Sequence, residues 1–279
     1  MSKGPLSPVL AWEKHPLEEL GMAFTLFTVT TSAALFLGML WLQEVGWRLG
    51  RRQLAQDSEG TWKHLGTLEG AVFGLMGLLM AFAFSGAASR FDVRRQLVAQ
   101  EANAIGTAYL RLDLLPAVAQ PALRENFRRY LDARLEVFQN PQDSPASKAG
   151  LDRSIQLQNA IWSQAVVACR AGVPAPTPML VLPALNEMID ITTTRAMAMN
   201  QHPPSIIYLM LGALTLASAL LAGYGMAEGK ARSWIHILGF AALFSVTLFV
   251  ILDLEYPRLG FIRVDAADQV LVSLRVSMK

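Results

Sequence analysis

Three carboxylates mark the ends of long apolar runs: Glu69 beside the start of Leu68 to Ala88, and Asp253 and Glu255 at the close of Ile235 to Leu254. Acids in such places bind cations or relay protons, or pair locally with neighbours such as Tyr256 and Arg258; Glu69 also suits the positive end of a helix dipole. These three are the ion-handling candidates. Along the Leu68 to Ala88 run, Phe73, Met80 and Phe84 recur at near-helical spacing. Bulky apolar side chains of this kind either pack against the other spans of the chain or narrow a central passage at a subunit interface. Further on, Glu101, Asn103, Asp190 and Arg195 offer either a polar tie between two helices or a ligand site.

No catalytic chemistry emerges from the remaining residues. His15, His64, His202 and His236 fall in four different segments, which does not suit a zinc site. No Ser-His-Asp arrangement, phosphate loop or dinucleotide fingerprint is present. The expectation is a protein with no catalytic residues, no cofactor and no metal, and not an enzyme. Cys169 is the only cysteine, which excludes an intrachain disulfide and reads as a small buried apolar residue.

The elements that must position these residues are helices in lipid. Four apolar segments, Gly21 to Gln43, Leu68 to Ala88, Ser205 to Met226 and Ile235 to Leu254, each approach the roughly 20 residues needed to cross a bilayer core. A hydrophobic fraction of 53% with 16% charged residues fits a multi-pass protein, and the mean hydropathy of +0.34 agrees. Net charge is +2, and acids and bases interleave between Arg90 and Pro203, so no basic stripe invites nucleic acid. The expected partners are membrane lipid, small ions and further copies of the chain.

The second span is the most patterned. Gly70, Gly74, Gly77 and Ala81 lie on one helical face, a helix-packing groove of small side chains with Phe73, Met80 and Phe84 beside it. Such a groove serves packing against the other spans of the same chain, or a subunit interface around a central passage.

Between spans two and three, apolar periodicity predicts four amphipathic helices. The first continues span two to about Leu112, with Val98, Ala102, Ile105, Tyr109 and Leu112 on one stripe. The next starts near Pro121 with Arg124, Arg128 and Arg134 outward. A third, about Pro145 to Arg170, should bury Leu151, Ile155, Trp162, Val166 and Cys169; a fourth runs from Met179 to Asn200. The expected fold is therefore all-α integral membrane, with four transmembrane helices and an antiparallel helical bundle inserted between the second and third. The expected divisions are an irregular segment over 1–20, transmembrane hairpins over 21–89 and 204–256, an extramembrane bundle over 90–203 and a tail over 257–279.

Leu68-Glu-Gly-Ala71, Ala81-Phe-Ala-Phe-Ser-Gly86 with Arg90-Phe-Asp92, Glu101-Ala-Asn-Ala-Ile-Gly-Thr-Ala-Tyr-Leu-Arg111, Ile189-Asp-Ile-Thr-Thr-Thr-Arg195 and Ile251-Leu-Asp-Leu-Glu-Tyr-Pro-Arg-Leu-Gly-Phe-Ile262 resemble a family of bacterial membrane proteins described as bestrophin-like. The resemblance covers residues from about 44 to the end. It implies kinship to bestrophins, pentameric anion channels with a helical domain between spans two and three and a neck of bulky residues on span two. By that architecture Phe73, Met80 and Phe84 would form the constriction, while the acidic calcium clasp of bestrophins has no counterpart here. The function expected is a homo-oligomeric channel, pentameric by analogy, passing small ions along the second span in the bacterial inner (plasma) membrane. The alternative is a non-conducting, membrane-anchored interaction or sensory protein acting through its bundle. The resemblance implies a cytoplasmic bundle, whereas the density of Arg48, Arg51, Arg52, Lys63, Lys230 and Arg232 in short hairpin loops predicts an extracytoplasmic one.

Overall fold

A computed structural model describes residues 15–55, 65–140, 144–171, 173–228 and 233–278. Among the described residues eight α-helices run in chain order: α1 His15–Leu54, α2 Leu65–Arg111, α3 Gln120–Gln139, α4 Pro145–Cys169, α5 Pro176–Asn200, α6 Ser205–Gly225, α7 Trp234–Glu255 and α8 Asp265–Ser277. Among the described residues no strand occurs, and four helical segments are long and apolar enough to span a membrane. The chain is an all-α membrane protein, with α3 and α4 falling between the second and third spans. The loop charges Lys63, Lys230 and Arg232, the histidine His64 and most of the irregular segment over 1–20 lie outside the described residues.

Two compact units divide the chain. The first contains residues 23–91 and 202–262, with the apolar parts of α1 and α2 and all of α6 and α7. Its core joins Leu35 and Met39 of α1, Ala219 of α6, and Ala241 and Leu248 of α7. The backbones of α1 and α6 touch. A Cβ on Gly46 would collide with the main chain at Leu220, one on Gly50 with Tyr224 and Ala227, and one on Gly223 with the main chain at Gln43. Only glycine permits such an approach, the usual route to helix association where lipid removes the hydrophobic drive. α1 runs on to Leu54, well past the Gln43 at which its apolar stretch stops, and carries Arg51 and Arg52 in its last turn.

The second unit holds residues 92–201 with the chain from Arg263 onward. Leu123, Phe127, Tyr130 and Leu131 of α3, Val98, Ala102, Ile105 and Tyr109 of the α2 extension, and Leu112 just past its end are buried, as their periodicity predicts. α4 is turned differently. Its inward face is Gly150, Ser154, Gln158, Ile161, Ala165 and Ala168, whereas Leu151 and Ile155 are 43% and 46% exposed. Gly150 lies so near Val137 and the Ala133 carbonyl that a side chain would be tight, so close approach to α3 selected small residues over apolar ones. Arg134, placed outward by the helical wheel, is 3% exposed. The tail also gains structure. Residues 265–277 form α8, whose Leu271 is fully buried and whose Arg275 forms a two-bond ion pair with Asp132 of α3, at 2.7 and 3.0 Å.

Candidate functional site

On α2 the two stripes read from the sequence separate. Phe73, Met76, Met80, Ala83 and Ala87 follow a 3,4,3,4 spacing and turn inward: Met80 is 4% exposed among Ala87, Ile251 and Leu254, and the Phe73 ring lies 5.8 Å from Phe240. Gly70, Gly74, Gly77, Ala81 and Phe84 follow a 4,3,4,3 spacing on a different face, and all are exposed. A Cβ on Gly70, Gly74 or Gly77 meets nothing within 4 Å. The groove is thus left open by the described residues of its own chain, and Phe84, 43% exposed, stands in it. Helical turn explains the split: Phe73 and Met80 are seven apart on one face, while Phe84 is seven from Gly77.

The acidic candidates occupy two ends of this unit, since Glu69 and Arg90 are about 30 Å apart along α2 at 1.5 Å per residue. Asp253 is fully buried and organises the turn after α7. Its Oδ1 accepts the Phe261 N–H at 2.9 Å and its Oδ2 the Ile262 N–H at 2.7 Å. The carboxylate occupies the space a side chain on residue 260 would need, which accounts for Gly260. Glu255, also fully buried, accepts from Arg90 Nε at 2.9 Å and again from its Nη2. His202 Nδ1 lies 3.5 Å from the other Glu255 oxygen, and its ring stacks on Tyr256 at 4.8 Å. The carboxylate of Glu69 rests against Gly225 at the end of α6, with Oε1 buried and unpartnered. Arg90 as the mate of Glu255 escaped the sequence reading, although it is the first basic residue after span two.

The second unit contains a buried ionic knot. Glu101 of α2, fully buried, accepts from Arg134 Nε of α3 at 2.6 Å and from Arg195 of α5. Arg195 reaches Asp268 of α8 at 3.3 Å, and the Phe138 ring faces both guanidiniums, at 4.8 Å from Arg134 and 3.6 Å from Arg195. Burial by itself would lower the affinity of Arg134 for its proton, but the Glu101 carboxylate reverses this and raises it. Of the four polar residues singled out from sequence, only Glu101 and Arg195 meet; Asn103 and Asp190 are exposed. The knot joins helices from four parts of the chain, a structural tie more than a binding centre. Among the described residues no group of His, Cys, Asp and Glu is arranged to hold a metal.

Comparison with known proteins places this geometry. A family model described as a bestrophin-like domain matches residues 32–268. Crystal structures of variants of a bacterial bestrophin homologue from Klebsiella pneumoniae share the fold. One superposes with a TM-score of 0.65 at 13% identity, covering 87% of this chain and 96% of the other. Another gives 0.64 at 14% identity, over 90% and 98%. No curated protein matches.

Proposed function

The chain belongs to the bestrophin-like family, and on that premise we propose that it assembles as a homo-oligomeric membrane channel passing small ions along α2. The observation that carries this reading is the open groove of Gly70, Gly74, Gly77 and Ala81, a surface of small residues that no described helix of the same chain fills. In lipid such a face gains most by close contact with another protein surface. Copies arranged with α2 inward would bring their Phe84 rings toward a common axis, where apolar side chains gate by dewetting. Phe73 and Met80 would then back the passage from inside each subunit. A pentamer follows by analogy with bestrophins, and the bacterial inner membrane is the proposed location.

The alternative, a non-conducting interaction or sensory protein, draws support from the exposed Leu151, Ile155 and Val167 on α4. Both readings meet one experiment. Mass measurement of the detergent-solubilised protein should give a ring of four or more copies, and liposomes containing it should leak small ions faster when Phe84→Ala widens the constriction. A stable monomer, or vesicles equally tight with the native protein and the variant, rejects conduction in favour of the alternative.

A further inference from the structure

At the end of the membrane unit where α1 nears its basic terminus, a cavity of about 310 Å³ opens between α1, the turn after α6, and α7. Trp41, Trp47 and Trp234 supply three indoles, Met226 a thioether, and Glu44 a carboxylate. Beside them Gln43 is 3% exposed, and among the described residues neither its amide oxygen nor its nitrogen has a hydrogen-bond partner. Leaving a buried amide unsatisfied is costly, so a polar side chain held this way points to a missing occupant. Volume and lining both match a small-ligand site, with apolar walls and a few convergent polar groups.

The chemistry of the walls selects the ligand. Indole faces attract cations, and a carboxylate among them adds charge complementarity. Trp47 already takes a cation in this way, with the Arg51 guanidinium 5.3 Å from its ring centroid. Among the described lining residues none is basic. We infer that this cavity binds an alkylated ammonium group, held by the indoles of Trp41 and Trp234, the Glu44 carboxylate and the Gln43 amide oxygen. The group is carried either by a small free cation or by the head of a zwitterionic lipid at the membrane surface. Arg48 Nε donates to Glu44 Oε1 at 2.7 Å, so Arg48 competes with the ligand for the same carboxylate. The plain rival is an aromatic belt that grips lipid without regard to its head group.

The test titrates the full-length protein in detergent with tetramethylammonium chloride against matched sodium chloride, reading tryptophan fluorescence, and repeats the reading in vesicles of phosphatidylcholine or of phosphatidylglycerol with the same acyl chains. A saturable response to tetramethylammonium, weakened roughly fivefold to thirtyfold by Glu44→Gln and by Trp234→Leu, supports the site. Glu44→Gln keeps all six tryptophans and alters a surface group, so its effect reads binding and neither fluorophore loss nor misfolding. Arg48→Ala should tighten binding by removing the competitor, which an apolar occupant would not register. A variant-sensitive response confined to phosphatidylcholine vesicles assigns the ammonium to lipid and also supports the site. A tetramethylammonium response no different from sodium together with equal responses to both lipids, or indifference of every response to Glu44→Gln, overturns it. None of these readings depends on ion conduction.

Discussion

Glu101 illustrates how a single buried charge is held. Two guanidiniums and a flanking ring compensate it, so replacing it with glutamine takes the buried carboxylate from Arg134 and leaves Arg195 with the longer pair to Asp268. Breaking a buried pair in this way costs about 3 to 5 kcal/mol. Thermal unfolding of the solubilised protein should therefore shift sharply downward in Glu101→Gln and hardly at all in Asn103→Gln; equal midpoints would refute the structural role. Tyr130, beside the same knot, is pushed up to about 12 by burial, and Gln158 Nε2 donates to its hydroxyl at 3.2 Å. A proton held more tightly in the folded protein than in the unfolded chain stabilises it fully below pH 10. That contribution fades as pH climbs toward 12, and two pH units correspond to about 3 kcal/mol at most. Stability of the native protein should fall across pH 10 to 12 more steeply than that of Tyr130→Phe, with parallel curves contradicting the burial. Arg134 shows why sequence hid this centre: one arginine on an amphipathic wheel looks like solvent-facing charge until a carboxylate 33 positions away neutralises it.

Helices show a similar division between what pattern reveals and what packing decides. Spans, the α2 extension and the α3 core were legible because periodicity of 3.6 follows directly from which face is buried. The buried face of α4 was not, because close approach to α3 favours Gly150, Ser154 and Ala165 over larger apolar residues, and hydropathy does not register distance between backbones. Glycine roles divide likewise. The α2 groove leaves its small residues on an open face, and among the described residues close backbone contact within the chain belongs to Gly46, Gly50 and Gly223, which join α1 to α6. Gly46→Leu should therefore unfold or misassemble the individual chain, since its side chain would collide with main-chain atoms of α6. Gly74→Leu should leave the helical content and thermal stability of the chain intact, because the space beside it is open, while reducing the oligomer fraction measured in detergent. Loss of monomer stability in Gly74→Leu, or tolerance of Gly46→Leu, would reverse the assignment of the two glycine sets.

At the scale of the whole molecule, the side of the membrane that receives the bundle is a matter of charge, and two arguments conflict. Kinship with bestrophins implies the cytoplasm, whereas Arg48, Arg51 and Arg52 at the end of α1 load the short hairpin side, and the positive-inside bias weighs short loops most heavily. Neither a helical wheel nor a packed core senses which compartment lies beyond the lipid, so fold was readable and orientation was not. Cys169 supplies the reporter. It is the sole cysteine, sits at the end of α4 in the bundle and is partly exposed, so any thiol signal comes from one known place. Burial raises its thiol pKa, and because the thiolate is the reactive form, labelling is slow near neutrality and needs mildly alkaline buffer. On the charge argument, a membrane-impermeant maleimide applied to intact spheroplasts should label the native protein, with Cys169→Ser as the blank. Labelling that appears only after the cells are opened would place the bundle in the cytoplasm and show that kinship outweighs loop charge. The same outcome would put the α1 basic cluster and the tryptophan-lined cavity on the extracytoplasmic side, where the lipids available to that cavity would be those of the outer leaflet.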